Sequence, residues 1–233
     1  MTTERTQSKI KFVGLHAHSV AGSIFDGLGF PQEHMEFAYS NGSDALALTD
    51  HGNMNGLSYQ VLHAKKMKAE GKDFKPIFGC EAYFLPSIEK WREEYDQAML
   101  DKKKARAAKK AGASGATVED EGASKGKSSN VLRRRRHLVL LAQNQTGLSN
   151  LFKLISESYT DENFYRFPRM DYKLLKKYGE GIIASSACLG GVYAGNYWEN
   201  REEGTEAVLE AMRDTTRNMV DVFGDRWHGE IQW

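Results

Sequence analysis

Six short apolar runs recur along the chain, at residues 11–19 (KFVGLHAHS), 45–50 (ALALTD), 75–84 (KPIFGCEAYF), 137–143 (HLVLLAQ), 181–188 (GIIASSAC) and 228–233 (HGEIQW). Helical patterns lie between them. Pro31 is placed to open QEHMEFAYS, GLSYQVLHAKKMKAEG runs to a glycine stop, TGLSNLFKLISESY starts from a Thr or Ser cap, and TEAVLEAMRDTTRNMVDVFG ends at another glycine. Strands alternating with helices predict a parallel, barrel-like α/β fold. In such folds chemistry gathers at the C-terminal ends of the strands.

The chain has 233 residues, 40% of them hydrophobic, enough for one sizeable core or two small ones. No run approaches the roughly 18 apolar residues of a membrane span. The opening MTTERTQSKI is charged and has no apolar stretch of the kind a secretory signal needs, so a cytoplasmic location is expected. Cys80 and Cys188, the only cysteines, are then expected to be reduced thiols or metal ligands.

Charge divides the chain. Residues 101–136 hold twelve Lys and Arg against four Asp and Glu, a surplus of +8 in a chain whose net charge is +1, so the remainder carries −7. The same stretch has no aromatic residue and cannot bury enough surface to offset its ordering entropy. It reads as a basic insertion after a tail (1–10) and a first domain part (11–100), with a second part at 137–233. Residues 89–113 suit a solvated helix that runs into a flexible linker. Arg133, Arg134, Arg135 and Arg136 are either a solvated charge run or a contact for nucleic-acid phosphates.

The first apolar run ends in His16-Ala17-His18, and histidines at i and i+2 of an extended strand share a face, so both imidazoles can reach one metal ion. The second ends in Asp50-His51-Gly52, where His51 stands at a strand end and Asp50 can bind metal or orient an imidazole from behind. Glu81 lies inside an apolar run, where an unpaired charge would cost several kcal/mol unless a cation met it. Cys188 ends the fifth run, and a thiolate there suits zinc. Asp26, in SIFDG, is either a ligand or an ordinary Asp-Gly turn. Donors at four separate strand ends point to a metal site and to metal-assisted attack on a phosphoester. No catalytic residue apart from these ligands is assigned. No Walker-type loop is present in the sequence. His34 and His63 fall in helical patterns and read as surface or packing residues.

FVGLHAHSVAGSIFDGL, ALALTDHGNMNGL, KPIFGCEAYFLP, HLVLLAQNQTGLSNLFKLIS, FPRMDYKLL and EGIIASSACLGG together resemble the polymerase-and-histidinol-phosphatase (PHP) domain that opens the α subunit of bacterial replicative DNA polymerase III. The resemblance covers nearly the whole chain outside the tail and insertion. It implies an α/β fold, a distorted (β/α) barrel of seven strands, and up to three divalent ions (zinc, manganese or magnesium). Carried over position by position, it implies the ligands His16, His18, Asp26, His51, Glu81, His137 and Cys188. The family's remaining pair, an Asp and a His two residues apart, has no match. Asp225 and His228 are three apart, so six of the seven barrel strands are expected here, the second part stopping before the last. His137 precedes its apolar run, the wrong end of a parallel strand for a ligand.

The resemblance implies the N-terminal part of a polymerase α subunit, as a fragment or a split-gene product, with metal-dependent phosphoesterase or 3′–5′ exonuclease chemistry. DNA, the rest of the α subunit and other replisome subunits would be its partners, and no membrane. A metal-binding structural module without activity is the alternative, and a free histidinol-phosphatase-like enzyme a further one.

Overall fold

The computed structural model describes residues 12–110 and 134–232. In chain order the first half contains α1 (Pro31–Ser40), β1 (Ala45–Leu48), α2 (Leu57–Ala69), β2 (Lys75–Phe84) and α3 (Ile88–Lys110). The second contains β3 (Arg136–Ala142), α4 (Gln145–Ser158), β4 (Phe164–Tyr165), β5 (Phe167–Met170), α5 (Tyr172–Tyr178), β6 (Ile182–Ser185), α6 (Val192–Asn200), α7 (Thr205–Phe223) and β7 (Trp227–His228).

Strand β2 is the axis of the sheet. Its first half pairs in parallel with β1, its second half pairs antiparallel with β3, and its last two residues pair in parallel with β5. Beyond β3 come β6, antiparallel to it, and β7, parallel to β6. The order is β4-β5-β2-β3-β6-β7, with β1 attached to β2. Residues 12–18 lie beside β1, where Ala47 and Thr49 donate backbone bonds to the carbonyls of Gly14 and Ala17 (both 2.8 Å). On their other side His16 meets Glu230, just past β7, at 2.7 Å. The sheet thereby curls into a distorted α/β barrel.

Period-two alternation sorts the residues of β2 and β3. Ala82, Phe84, Leu138 and Leu140 face outward onto Leu151 and Leu154 of α4, Leu175 of α5, Val192 of α6 and Met219 and Phe223 of α7. Each larger side chain buried there contributes about 1.5–3 kcal/mol. Glu81, His137, Val139 and Leu141 take the other face, where Val139 and Leu141 pack with Ala47 and Ala187. Helices α1 and α2 cover β1 through Met35 and Met67. Ile88 and Trp91 root α3, and the buried Arg169 guanidinium stacks on Trp91 at 4.5 Å.

Several expectations are corrected. The sheet is mixed, because β3 runs against both of its neighbours. The run at 11–19 forms only an isolated bridge, Gly14 to Leu46, the run at 181–188 shortens to Ile182–Ser185, and of the run at 228–233 only His228 is strand, following Trp227. The β4–β5 hairpin, α5 and α6 were not expected, being short and rich in aromatic or charged residues that blur both periodicities. Helix α4 starts at Gln145, capped by the Asn144 side chain accepting from the Gly147 N–H, and not by a Thr or Ser. Residues 101–110 continue α3, and Arg136 is the first residue of β3. The tail 1–10, Arg133 and the rest of 111–133 lie outside the described residues. Among those described, no helix is long and apolar enough to cross a membrane.

Candidate metal centre

Glu81 is fully buried, and four imidazoles converge on its carboxylate. Oε1 lies 3.2 Å from His16 Nε2 and 2.9 Å from His137 Nδ1. Oε2 lies 3.4 Å from His18 Nε2 and 2.7 Å from His51 Nδ1. His16 and His18 reach it from an extended segment outside the ladder, the i, i+2 spacing sufficing to bring both rings to one side. His18 stacks on His51 with centroids 4.2 Å apart and meets His16 edge-on at 5.1 Å.

His51 follows β1 and bridges to Glu81, whose carbonyl accepts from the Gly52 N–H at 2.9 Å. Gly52 turns the chain at φ +68°, a conformation L side chains rarely adopt, and a Cβ there would come within 2.7 Å of Pro168. His51 Nε2 lies 2.7 Å from Oδ2 of Asp26, which is half exposed on its loop. Asp50 contacts no imidazole. It is buried and accepts from the Ser19 N–H (2.7 Å), Ser19 Oγ (2.8 Å) and Ser23 Oγ (2.9 Å), while Ser23 Oγ accepts from the His51 N–H at 3.1 Å. Asp50 therefore fixes the loop that presents Asp26.

The antiparallel direction of β3 removes the difficulty over His137, since its N-terminal end adjoins the C-terminal ends of β2 and β6. Past β6, Ala187 takes φ +57°, strained for a residue with a Cβ, and the turn brings Cys188 Sγ within 3.5 Å of His137 Nδ1 and 3.7 Å of Glu81 Oε1. Cys80, on the opposite face of β2, is fully buried and its thiol is pushed up by burial.

Burial opposes the charge on Glu81, but the imidazoles of His137, His16 and His51 overcome it and hold the carboxyl far below the usual range. Burial would likewise lower His16 and His137; contacts with Glu230 and Glu81 raise His16 to about 10, and contacts with Cys188 and Glu81 raise His137 to about 9. His51 is raised against its burial by Glu81 and Asp26. Burial, then the neighbouring His51 charge, lowers His18. Contact with His137 lowers the Cys188 thiol.

Three buried polar atoms, His18 Nδ1, His51 Nδ1 and Glu81 Oε2, have no aligned hydrogen-bond partner. The 2.7 Å approach of His51 Nδ1 to Oε2 is close but out of line. Orphaned donors and acceptors around a buried carboxylate, with a low-lying thiol beside them, fit a divalent cation. Three overlapping triplets each bring donor atoms within 4.8 Å of one another: His16, His18, Glu81; His18, Asp26, His51; and His51, Glu81, His137.

The other candidate positions make no contact with the Glu81 carboxylate. Arg134 pairs with Glu94 at 3.1 Å, Arg135 lies over the rings of Phe167 (4.0 Å) and Tyr83 (5.4 Å), and Arg136 pairs with Glu199. His63 bonds Glu36 at 3.0 Å on the α1–α2 surface. Two residues at the centre were missed in the sequence. Tyr83 stacks parallel to His51 at 5.9 Å, and Glu230 bonds His16. Glu230 carries the same signal that marked Glu81, a carboxylate inside an apolar run.

The chain matches the PHP domain over residues 14–232. The DNA polymerase III subunit alpha of Aquifex aeolicus is 35% identical over 221 residues, which make up 95% of this chain and 15% of that protein. That of Treponema pallidum is 36% identical over 185 residues, 79% of this chain and 12% of its own length. The chain thus spans about 15% or less of the curated relatives it matches. A solved structure from Bifidobacterium adolescentis, described as a candidate metal-dependent phosphoesterase, aligns with 90% of this chain and 76% of its own at 15% identity and TM-score 0.38. The family match runs through every donor gathered around Glu81: the chain belongs to the PHP domain family.

Proposed function

We propose that this chain is the PHP module of a replicative DNA polymerase α subunit and that its metal centre hydrolyses phosphoesters at the 3′ end of DNA. The observation that carries this reading is the buried Glu81 carboxylate among four imidazoles, with three polar atoms that make no aligned hydrogen bond. His16, His18, Asp26, His51, Glu81, His137 and Cys188 would hold the ions, and this imidazole-rich set with one thiol favours zinc over magnesium. Divalent ions in such a site supply Lewis-acid stabilisation to phosphoryl oxygens and acidify a water.

The chain's own residues prepare that chemistry. His18, lowered by burial, is neutral at pH 7 and gives up no proton on binding, whereas His16 and His137 must each release one. Asp26 stands half exposed at the mouth, beside the fully exposed Phe25, where a substrate arrives. DNA, the remainder of the α subunit and other replisome subunits are the proposed partners, the last two from the named relatives. A second reading, a metal-binding support for the polymerase without activity, draws on the way the centre ties together residues as far apart as His16, Glu81, His137 and Cys188.

The test is to strip the protein with chelator, reload it with zinc or manganese, and incubate it with 5′-labelled single-stranded DNA, duplex DNA and histidinol phosphate. Stepwise 3′ shortening that is lost in Glu81→Gln supports the exonuclease reading. Metal binding without hydrolysis supports the structural one. Turnover of histidinol phosphate but not DNA would replace both with a free phosphatase.

A further inference from the structure

Glu230 stands outside the ligand set, yet its carboxylate is held from several sides. Oε1 lies 2.7 Å from His16 Nδ1 and accepts from Gln232 Nε2 at 2.7 Å. Oε2 accepts from Ser185 Oγ at 2.6 Å, and the Glu230 N–H donates to Ser186 Oγ at 2.9 Å. Both serines adjoin the C-terminal end of β6, so the carboxylate rests on the same strand end that leads to Cys188. An ionised carboxylate only accepts, so His16 Nδ1 keeps its proton toward Glu230, and Nε2 is the nitrogen left to give up its proton to a metal. Nε2 is the atom aimed into the centre, 3.2 Å from Glu81 Oε1.

We propose that Glu230 is a positioning residue of the metal centre: it fixes His16 in the tautomer and ring orientation that present Nε2 as the ligand atom. The inference rests on the metal-binding reading above. Carboxylates behind ligating imidazoles orient the ring and raise its basicity, and their loss costs roughly 10- to 100-fold in metal affinity. Ser185 acts one step further out by holding the Glu230 carboxylate in place. A purely structural role, closing the barrel between residues 12–18 and 230–232, would affect stability but leave His16 free to choose its tautomer.

The test uses the whole chain with ¹⁵N-labelled histidine. In zinc-loaded wild-type protein, long-range ¹H–¹⁵N spectra are expected to show His16 protonated at Nδ1 and metal-bound at Nε2. Glu230→Ala should bind zinc about 10- to 100-fold more weakly and lose the single tautomer. Glu230→Gln, which keeps an acceptor, should restore the tautomer and part of the affinity. A wild-type His16 bound through Nδ1, or a folded Glu230→Ala with wild-type zinc affinity, overturns the proposal. Should Glu230→Ala fail to fold, the wild-type spectrum decides alone. Wild-type protein that binds no zinc removes the metal reading itself, an outcome distinct from zinc binding with the wrong His16 tautomer.

Discussion

Glu81 and His137 stand diagonally across the β2–β3 ladder, with their side chains on one face and Oε1 and Nδ1 2.9 Å apart. Tyr83 is the direct partner of His137, and Val139 that of Glu81. Because β3 runs against β2, a histidine near the start of its strand meets a glutamate near the end of another. One reversed strand thus lets donors from opposite ends of their strands share a single mouth.

Gly190 lies against that same histidine. A Cβ at Gly190 would stand 2.9 Å from His137 Nδ1, closer than real side chains pack. Gly190→Ala is expected to displace the imidazole, weakening zinc binding about 10-fold and lowering stability by about 1–3 kcal/mol. Gly229, whose added Cβ would meet nothing within 4 Å, is the control. Gly229→Ala should leave both quantities unchanged in calorimetric titration and urea unfolding.

Asp50 supports the centre without entering it. Its carboxylate satisfies three donors from Ser19 and Ser23, and Asn offers one oxygen where Asp offers two. Asp50→Asn is therefore expected to cost about 2–3 kcal/mol in chelator. The Asp26 loop should loosen with it, so the triplet of His18, Asp26 and His51 loses metal before the triplet of His51, Glu81 and His137. Metal counts at increasing chelator concentration would show a graded loss; simultaneous loss from both would contradict the role assigned to Asp50.

The raised His16 value gives a pH signature in metal-free protein. The fold stabilises the protonated imidazole, so its contribution is complete below pH 6.5, the unfolded value, and disappears as pH rises to about 10. The stability difference between wild type and His16→Gln in chelator should shrink across that window. Urea unfolding at half-unit steps of pH measures it, and a difference that widened with rising pH would reverse the assigned sign.

Much of this centre is legible in the sequence, for local reasons. His16 and His18 share a side by spacing alone, Glu81 betrays itself as a charge in an apolar strand, and β2 has the bounds its composition suggests. What escapes is tertiary. Nothing in HLVLLAQ says that the strand runs backwards, and that direction decides whether His137 is a ligand. FYRFPRM hides a hairpin because its turn residue is Arg166 at φ +61° and not a glycine. The reach of Glu230 to His16 depends on the barrel curling until its first and last segments meet.

The claim on which the rest depends is that Glu81 organises a divalent metal centre. The direct measurement is metal content by mass spectrometry after equilibrium dialysis of chelator-stripped protein against zinc or manganese, for wild type and Glu81→Gln side by side. Wild type is expected to retain at least one ion per chain under conditions where folded Glu81→Gln retains none. Equal retention by the two proteins, or none by wild type, would contradict it.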